Sequence, residues 1–167
     1  MAIKFYKEEG QYFYNRALVK SRLDKVEEAI DDYSKALEHL SSGDTDSKYQ
    51  AFFNRGICRR RIGDLDKSID DFKEAIKMKN DRPSAHNNLA LSYFENSEFE
   101  EALVHYGKAI GLEASSIHYN NRGLAYFHFD KLEEAKQDFD MAIDIDPNDP
   151  MFYFNRGNVY LNWKPEQ

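Results

Sequence analysis

The sequence predicts an all-α protein built from repeated pairs of helices. Four stretches superimpose without gaps: "YNRALVKSRLDKVEEAIDDYSKAL", "FNRGICRRRIGDLDKSIDDFKEAI", "NNLALSYFENSEFEEALVHYGKAI" and "NNRGLAYFHFDKLEEAKQDFDMAI". Each contains two segments with apolar residues at helical spacing, separated by a short polar turn. The four prolines and eight glycines disfavour a turn-rich β fold. A small residue recurs in the first segment of each repeat at intervals of 39, 34, 33 and 34 residues. These small residues are Ala17, Gly56, Ala90, Gly123 and Gly157.

The repeat divides residues 1–167 into a single array of four and a half units. The extra residues of the first interval fall near Ser41 to Asp44, where we expect a loop between units. Asp146-Pro147 ends the fourth unit, because proline cannot continue a helix. The second helix of each unit repeats a small residue, an aromatic and an alanine, as in Ala29, Tyr33 and Ala36. The predicted units are 10–48, 49–82, 83–115 and 116–149, with a half unit at 150–163.

This pattern resembles the tetratricopeptide repeat over nearly the whole chain. The resemblance implies an α-solenoid, a right-handed superhelix of antiparallel helix pairs with first helices on the concave face and second helices on the convex face. Lys20 and Arg59 depart from it, since they stand where later units have Tyr93, Tyr126 and Tyr160. We therefore expect the first two units to pack less tightly.

Composition limits the binding partners and the cellular compartment that we expect for this protein. The net charge of −7 and the pI near 5.3 argue against non-specific binding to nucleic acid or to anionic membrane. No apolar run approaches the ~18 residues of a membrane span, so we expect no membrane insertion. The single cysteine, Cys58, makes no intramolecular disulfide and indicates a reducing, cytoplasmic compartment.

The sequence offers no candidate for catalysis, for a cofactor or for a metal. No Cys-x-x-Cys or His-x-x-x-His spacing and no glycine-rich phosphate loop occurs. Cys58 lies among apolar first-helix residues, as a packing cysteine does. The five histidines fall at unrelated places in their units. We therefore expect a protein that is not an enzyme.

Charges at two repeated positions predict ion pairs within units. The residue before the small one is arginine in three complete units, and the residue before the second-helix aromatic is then aspartate. The third unit has Leu89 and His105 at these places. Pairing would tie the first helix to the second, whereas the alternative is independent surface charges. The expected pairs are Arg16–Asp32, Arg55–Asp71 and Arg122–Asp138.

Asparagine recurs once in every first helix and forms what we call the amide ladder: Asn15, Asn54, Asn88, Asn121 and Asn155. The resemblance places it on the concave face, where its amides suit the backbone of an extended partner segment. Asparagine is also common there in the family whatever the ligand. Neighbouring groove positions are Tyr14, Phe53, Asn87 and Asn120.

A basic spot is expected further along the same face, at Arg22, Arg60 and Arg61. It could hold a carboxylate or phosphate bidentately, or be a solvated edge. Some members of the family bind acidic chaperone tails through a clamp that needs Lys and Asn flanking the ladder. Tyr14 and Leu18 stand at those places here, so we expect no such specificity.

The leading interpretation is a non-enzymatic scaffold or adaptor that binds a protein or peptide segment in its concave groove. Two alternatives remain open. The solenoid could be a structural module that assembles end to end, or a regulatory segment of a longer protein.

The half unit predicts an exposed end face at Tyr153, Tyr160 and Trp163, because it lacks a second helix. We also expect Arg156 to lack an aspartate partner. The tail would then belong to a longer array or dock onto another chain, and we expect it to support self-association.

Overall fold

A computed structural model describes the backbone of residues 2–163 and the side chains of residues 9–163. This part of the chain contains helices and no strand. The predicted all-α solenoid is therefore confirmed. The helices are α1 Ala2–Arg22, α2 Val26–His39, α3 Thr45–Arg61, α4 Leu65–Met78, α5 Pro83–Glu95, α6 Phe99–Leu112, α7 Ser116–His128, α8 Leu132–Ile145 and α9 Pro150–Asn162.

Consecutive helices pack as hairpins, which then stack in chain order. The most extensive contacts join α1 to α2, α3 to α4, α5 to α6 and α7 to α8. The second helix of each hairpin also packs against the first helix of the next. Odd-numbered helices contact one another directly, so α1, α3, α5, α7 and α9 line one continuous face.

The turn inside each hairpin is built in the same way four times. One residue adopts the left-handed conformation, and the amide after it donates to a carbonyl five residues earlier, at 2.9–3.0 Å. This bond satisfies a carbonyl at the helix end that would otherwise lack a partner. The left-handed residues are Asp24, Gly63, Ser97 and Asp130, with φ of 62°, 79°, 64° and 57°.

Small residues on the first helices admit aromatic rings from the second helices. In the second and fourth hairpins the small residue is glycine: a Cβ at Gly123 would lie 2.9 Å from Phe139 Cε1, and one at Gly56 would lie 3.0 Å from Phe72 Cζ. Both rings are fully buried. The first and third hairpins combine alanine with tyrosine instead: Ala17 with Tyr33, and Ala90 with Tyr106.

Candidate functional site

Arginine and aspartate form a bidentate ion pair in three of the four hairpins. In each pair Nε and Nη2 donate to the carboxylate, and the carboxylate itself is almost completely buried. Such two-point pairs fix the angle between the helices as well as their separation. The shortest distances are 2.7 Å for Arg16–Asp32, 2.7 Å for Arg55–Asp71 and 2.8 Å for Arg122–Asp138.

The first two hairpins add a second cation to the same carboxylate. Lys20 Nζ lies 2.9 Å from Asp32, and Arg59 Nη1 lies 2.9 Å from Asp71. These are the residues that replace the first-helix aromatic, so the departure from the family pattern supplies charge where looser packing was expected. Arg16, ahead of the opposing effect of burial, holds the pKa of Asp32 down at about 2.

The third hairpin replaces the ion pair with two histidines. His86 and His105 approach with their Nδ1 atoms 3.1 Å apart, and their ring centroids are 5.3 Å apart with an interplanar angle of 21°. The nitrogens therefore lie between the rings and share one hydrogen bond, which requires a donor on one ring and an acceptor on the other. Burial, reinforced by Lys108, lowers the pKa of His105 to about 4.

Alignment of the repeats shows His105 as the one residue that is not aspartate at its position, but it did not reveal the role of His86. His86 stands three residues before Leu89, at a position where the other units carry an aromatic ring. Those rings, Phe13, Phe52, Tyr119 and Tyr153, lie against the arginine of the same first helix. His86 keeps a ring at this position and directs it at His105.

Most side chains of the amide ladder form hydrogen bonds within the protein rather than facing an open groove. Asn54 donates to Tyr14 Oη at 3.1 Å, Asn121 to Asn87 Oδ1 at 3.0 Å, and Asn155 to Asn120 Oδ1 at 2.8 Å. Each bond reaches the residue before the ladder asparagine of the preceding hairpin. These bonds join successive first helices, and the expected open groove positions at Tyr14 and Asn87 are in fact buried.

Asn88 is the informative exception in the ladder. The residue it would reach is Phe53, which has no acceptor and packs edge-on against Phe72 at 5.7 Å. Asn88 instead donates to the Ser84 carbonyl of its own helix. Asn15 accepts from Gln11 and is exposed.

We therefore predict unequal effects along the ladder. Asn121→Ala should lower the free energy of unfolding by about 1 kcal/mol, because it leaves the buried Asn87 amide without its partner. Asn88→Ala, the matched control, should cost a few tenths of that, since the bond it removes lies within one exposed helix face. Urea unfolding followed by circular dichroism would measure both, and equal losses would contradict the inter-hairpin role.

The basic spot is mostly neutralised by acidic neighbours. Arg60 Nη1 donates to Glu95 at 2.8 Å, and Arg61 Nη2 donates to Asp24. Both pairs bridge adjacent hairpins. Arg22 is exposed at the end of α1. Two of the three arginines thus already have a carboxylate, which weakens the spot as a site for an external anion.

An open groove lies across three successive first helices in the C-terminal half. It encloses about 570 Å³. We call it the α5–α7–α9 groove, and Leu124 on its floor is 40% exposed. Repeat spacing alone does not show that Phe94 and Phe127 border a cavity. The lining residues are Phe94, Leu124, Phe127, His128, Asp130 and Asn162.

The outer side of α9 is partly open. Tyr153 and Tyr160 are exposed, and a Cβ at Gly157 would meet nothing within 4 Å. Trp163, expected on the same surface, instead packs against the cluster of Ala135, Phe139 and Val159.

The expectation that Arg156 lacks an aspartate is wrong. Its Nη1 donates to Asp140 Oδ1 at 2.6 Å, in the preceding helix. Asp140 is two residues beyond the aspartate column, so the column comparison could not find it.

Three further properties concern the described residues. None of the helices within 2–163 is long and apolar enough to cross a membrane. Side chains of residues 9–163 include no cluster of three His, Cys, Asp or Glu that could hold a metal ion. Cys58 is buried, and burial raises the pKa of its thiol.

Comparison with known proteins agrees with this architecture. Family models described as tetratricopeptide repeat match residues 9–81, then 83–115 and 117–149, and finally 139–164. No curated protein matches the chain in sequence.

Three solved structures illustrate the similarity. The first tetratricopeptide repeat domain of Spaghetti (RPAP3), bound to the HSP90 peptide SRMEEVD, is 26% identical with a TM-score of 0.66, covering 69% of this chain and 92% of that one. MamA from Desulfovibrio magneticus RS-1 is 19% identical with a TM-score of 0.80, covering 92% and 85%. YrrB, a repeat protein with an unusual peptide-binding site, is 22% identical with a TM-score of 0.73, covering 96% and 81%. The chain belongs to the tetratricopeptide repeat family.

Proposed function

We propose that this protein is a non-enzymatic interaction module, a scaffold or adaptor of the cytoplasm, that binds a peptide or a segment of a partner protein. The binding surface is the face formed by the odd-numbered helices. The α5–α7–α9 groove is the observation that carries the proposal. Its volume falls within the roughly 300–1,000 Å³ of typical ligand pockets.

The groove is suited to side chains rather than to a small polar metabolite. Phe94, Leu124 and Phe127 provide apolar contact, while Asn162 and Asp130 provide polar atoms at the edge. Leu161, 84% exposed, extends the apolar surface along the same end of α9. Peptide-binding relatives support the proposal: the RPAP3 domain holds an HSP90 peptide, and YrrB is described as having a peptide-binding site.

The acidic HSP90-type tail is a poor match for this face. Its carboxylates would need free cations, yet Arg60 and Arg61 are already bound to Glu95 and Asp24. The binding chemistry is therefore expected to differ from that of the RPAP3 domain.

Site-resolved photo-cross-linking tests the proposed surface. Benzoylphenylalanine at Leu124, in the groove, is compared with the same residue at Val104, which is exposed on the second helix α6. In lysate of the source organism, position 124 should yield a discrete protein adduct that Phe127→Ala suppresses. Adducts formed equally from both positions, or from 104 alone, would overturn the assignment.

A second function, assembly of copies through α9, has its own supporting observation. Tyr153, Gly157 and Tyr160 form an exposed stripe, and Gly157 has the open approach that Gly56 and Gly123 offer to a ring. Another copy of this chain could place an aromatic side chain there. Light scattering should then show association that Tyr160→Glu abolishes, whereas a monomer at millimolar concentration would exclude it.

A further inference from the structure

We infer that the α5–α7–α9 groove recognises a partner segment in which a large apolar side chain stands next to lysine or arginine. This rests on the proposed function and specifies the ligand chemistry of the same groove. Three observations carry it: an apolar floor, three convergent helix C-termini, and one carboxylate that has no side-chain partner within residues 9–163.

The apolar floor is held in place by aromatic packing. Phe94 meets His128 edge-on at a centroid distance of 5.3 Å, and Phe99 packs against Phe129 at 4.4 Å behind them. These contacts fix the wall against which a bound side chain would lie. Leu124 is left exposed beside it, so burying that residue under an apolar anchor is favourable.

The groove also lies at the C-terminal ends of three helices. Phe94, His128 and Asn162 are within the last two residues of α5, α7 and α9. Helix C-termini carry partial negative charge on their final carbonyls, and this charge favours a cation nearby.

The partial negative charge at these three helix ends is not offset by basic side chains as it is at the ends of α1 and α3. The last turn of α1 carries Lys20 and Arg22, and that of α3 carries Arg59, Arg60 and Arg61. The last turns of α5 and α9 carry no basic residue, and that of α7 carries His128. Among the odd-numbered helices, Lys and Arg in the last turn are therefore confined to α1 and α3.

Asp130 adds a full charge at the same place. It lines the groove, and no side chain among residues 9–163 pairs with its carboxylate. Glu95, at the end of α5, is already neutralised by Arg60. A guanidinium or ammonium group beside the apolar anchor would meet Asp130 and the negative ends of the three helix dipoles together.

The test begins with a phage-displayed library of random twelve-residue peptides selected on the whole protein. Enriched peptides are synthesised, and their affinities are measured by calorimetry. Asp130→Asn is the diagnostic variant, because asparagine tolerates the left-handed φ of 57° while removing the charge. Asp24→Asn is the matched control, with the same turn position and a φ of 62° at the other end of the face.

Enriched peptides should carry a large apolar residue adjacent to Lys or Arg. Leu124→Ser should nearly abolish their binding, Asp130→Asn should weaken it roughly 3- to 10-fold, and Asp24→Asn should leave it unchanged. Peptides that depend on Leu124 but show no basic preference and bind Asp130→Asn normally would overturn this inference alone. Binding that is indifferent to Leu124, or no enrichment at all, would overturn the proposed function as well.

Discussion

Replacing Asp71 by asparagine should destabilise the protein by about 3 kcal/mol. The carboxylate is almost completely buried and receives two guanidinium groups, from Arg55 at 2.7 Å and from Arg59 at 2.9 Å. Both arginine side chains are themselves more than four-fifths buried. Removing the acid leaves two like charges facing each other with little access to water. Denaturant unfolding would measure the loss.

Two comparisons make this prediction specific. Asp140→Asn removes a carboxylate that also contacts two cations but is one-third exposed, so it should cost less than about 1 kcal/mol. Combining Asp71→Leu with Arg55→Met and Arg59→Met should recover much of the loss, because the stranded charges are gone. If Asp71→Asn and Asp140→Asn have equal effects, the buried pair contributes no more than a surface pair.

Acidification should weaken the third hairpin selectively. Histidine in an unfolded chain has a pKa near 6.5, and burial lowers the pKa of His105 to about 4. The unfolded state therefore binds more protons below pH 6.5, and stability falls as the pH decreases from 6.5 towards 4. Allowing for partial screening by solvent, we expect a loss of about 2 kcal/mol over this window.

The surroundings of the histidine pair explain why protonation of His105 is unfavourable. Lys108 lies near both rings, and Lys73 lies over the Tyr93 ring that packs against His105. A third positive charge would meet these two with no carboxylate in the position occupied by Asp138 in the fourth hairpin.

A variant that copies the fourth hairpin supplies the control. Changing His86→Tyr, Leu89→Arg and His105→Asp together should remove the acid-induced loss while leaving the other hairpins as they are. His128→Gln, which removes an exposed histidine, should leave the loss in place. Unfolding curves at several pH values, with NMR titration of the His105 ring, would decide. A His105 ring that titrates near pH 6.5 would refute the explanation.

The sequence predicts the hairpins and their ion pairs because both depend on spacing within one repeat. An arginine and an aspartate sixteen residues apart occupy facing positions in the first, second and fourth hairpins, so a single alignment of the repeats identifies all three pairs. The ladder bonds, such as Asn121 to Asn87, depend on how one hairpin sits on the next, and spacing alone does not determine that. Asp140 and His86 were missed because neither lies at the two repeat positions that were compared, the one before the small residue and the one before the second-helix aromatic.

The combination of small residue and ring in each hairpin limits how the chain could be recombined. Alanine accompanies tyrosine in the first and third hairpins, and glycine accompanies phenylalanine in the second and fourth. A crossover inside a turn that joined an alanine helix to a phenylalanine helix would place a methyl group at the position where a Cβ lies 2.9 to 3.0 Å from a buried ring. A crossover between the second and fourth hairpins avoids that collision and keeps an arginine opposite each aspartate. One between the first and third would leave Asp32 facing Leu89, so a chimera library cut at these turns should yield folded proteins when the even hairpins exchange and not when the odd ones do.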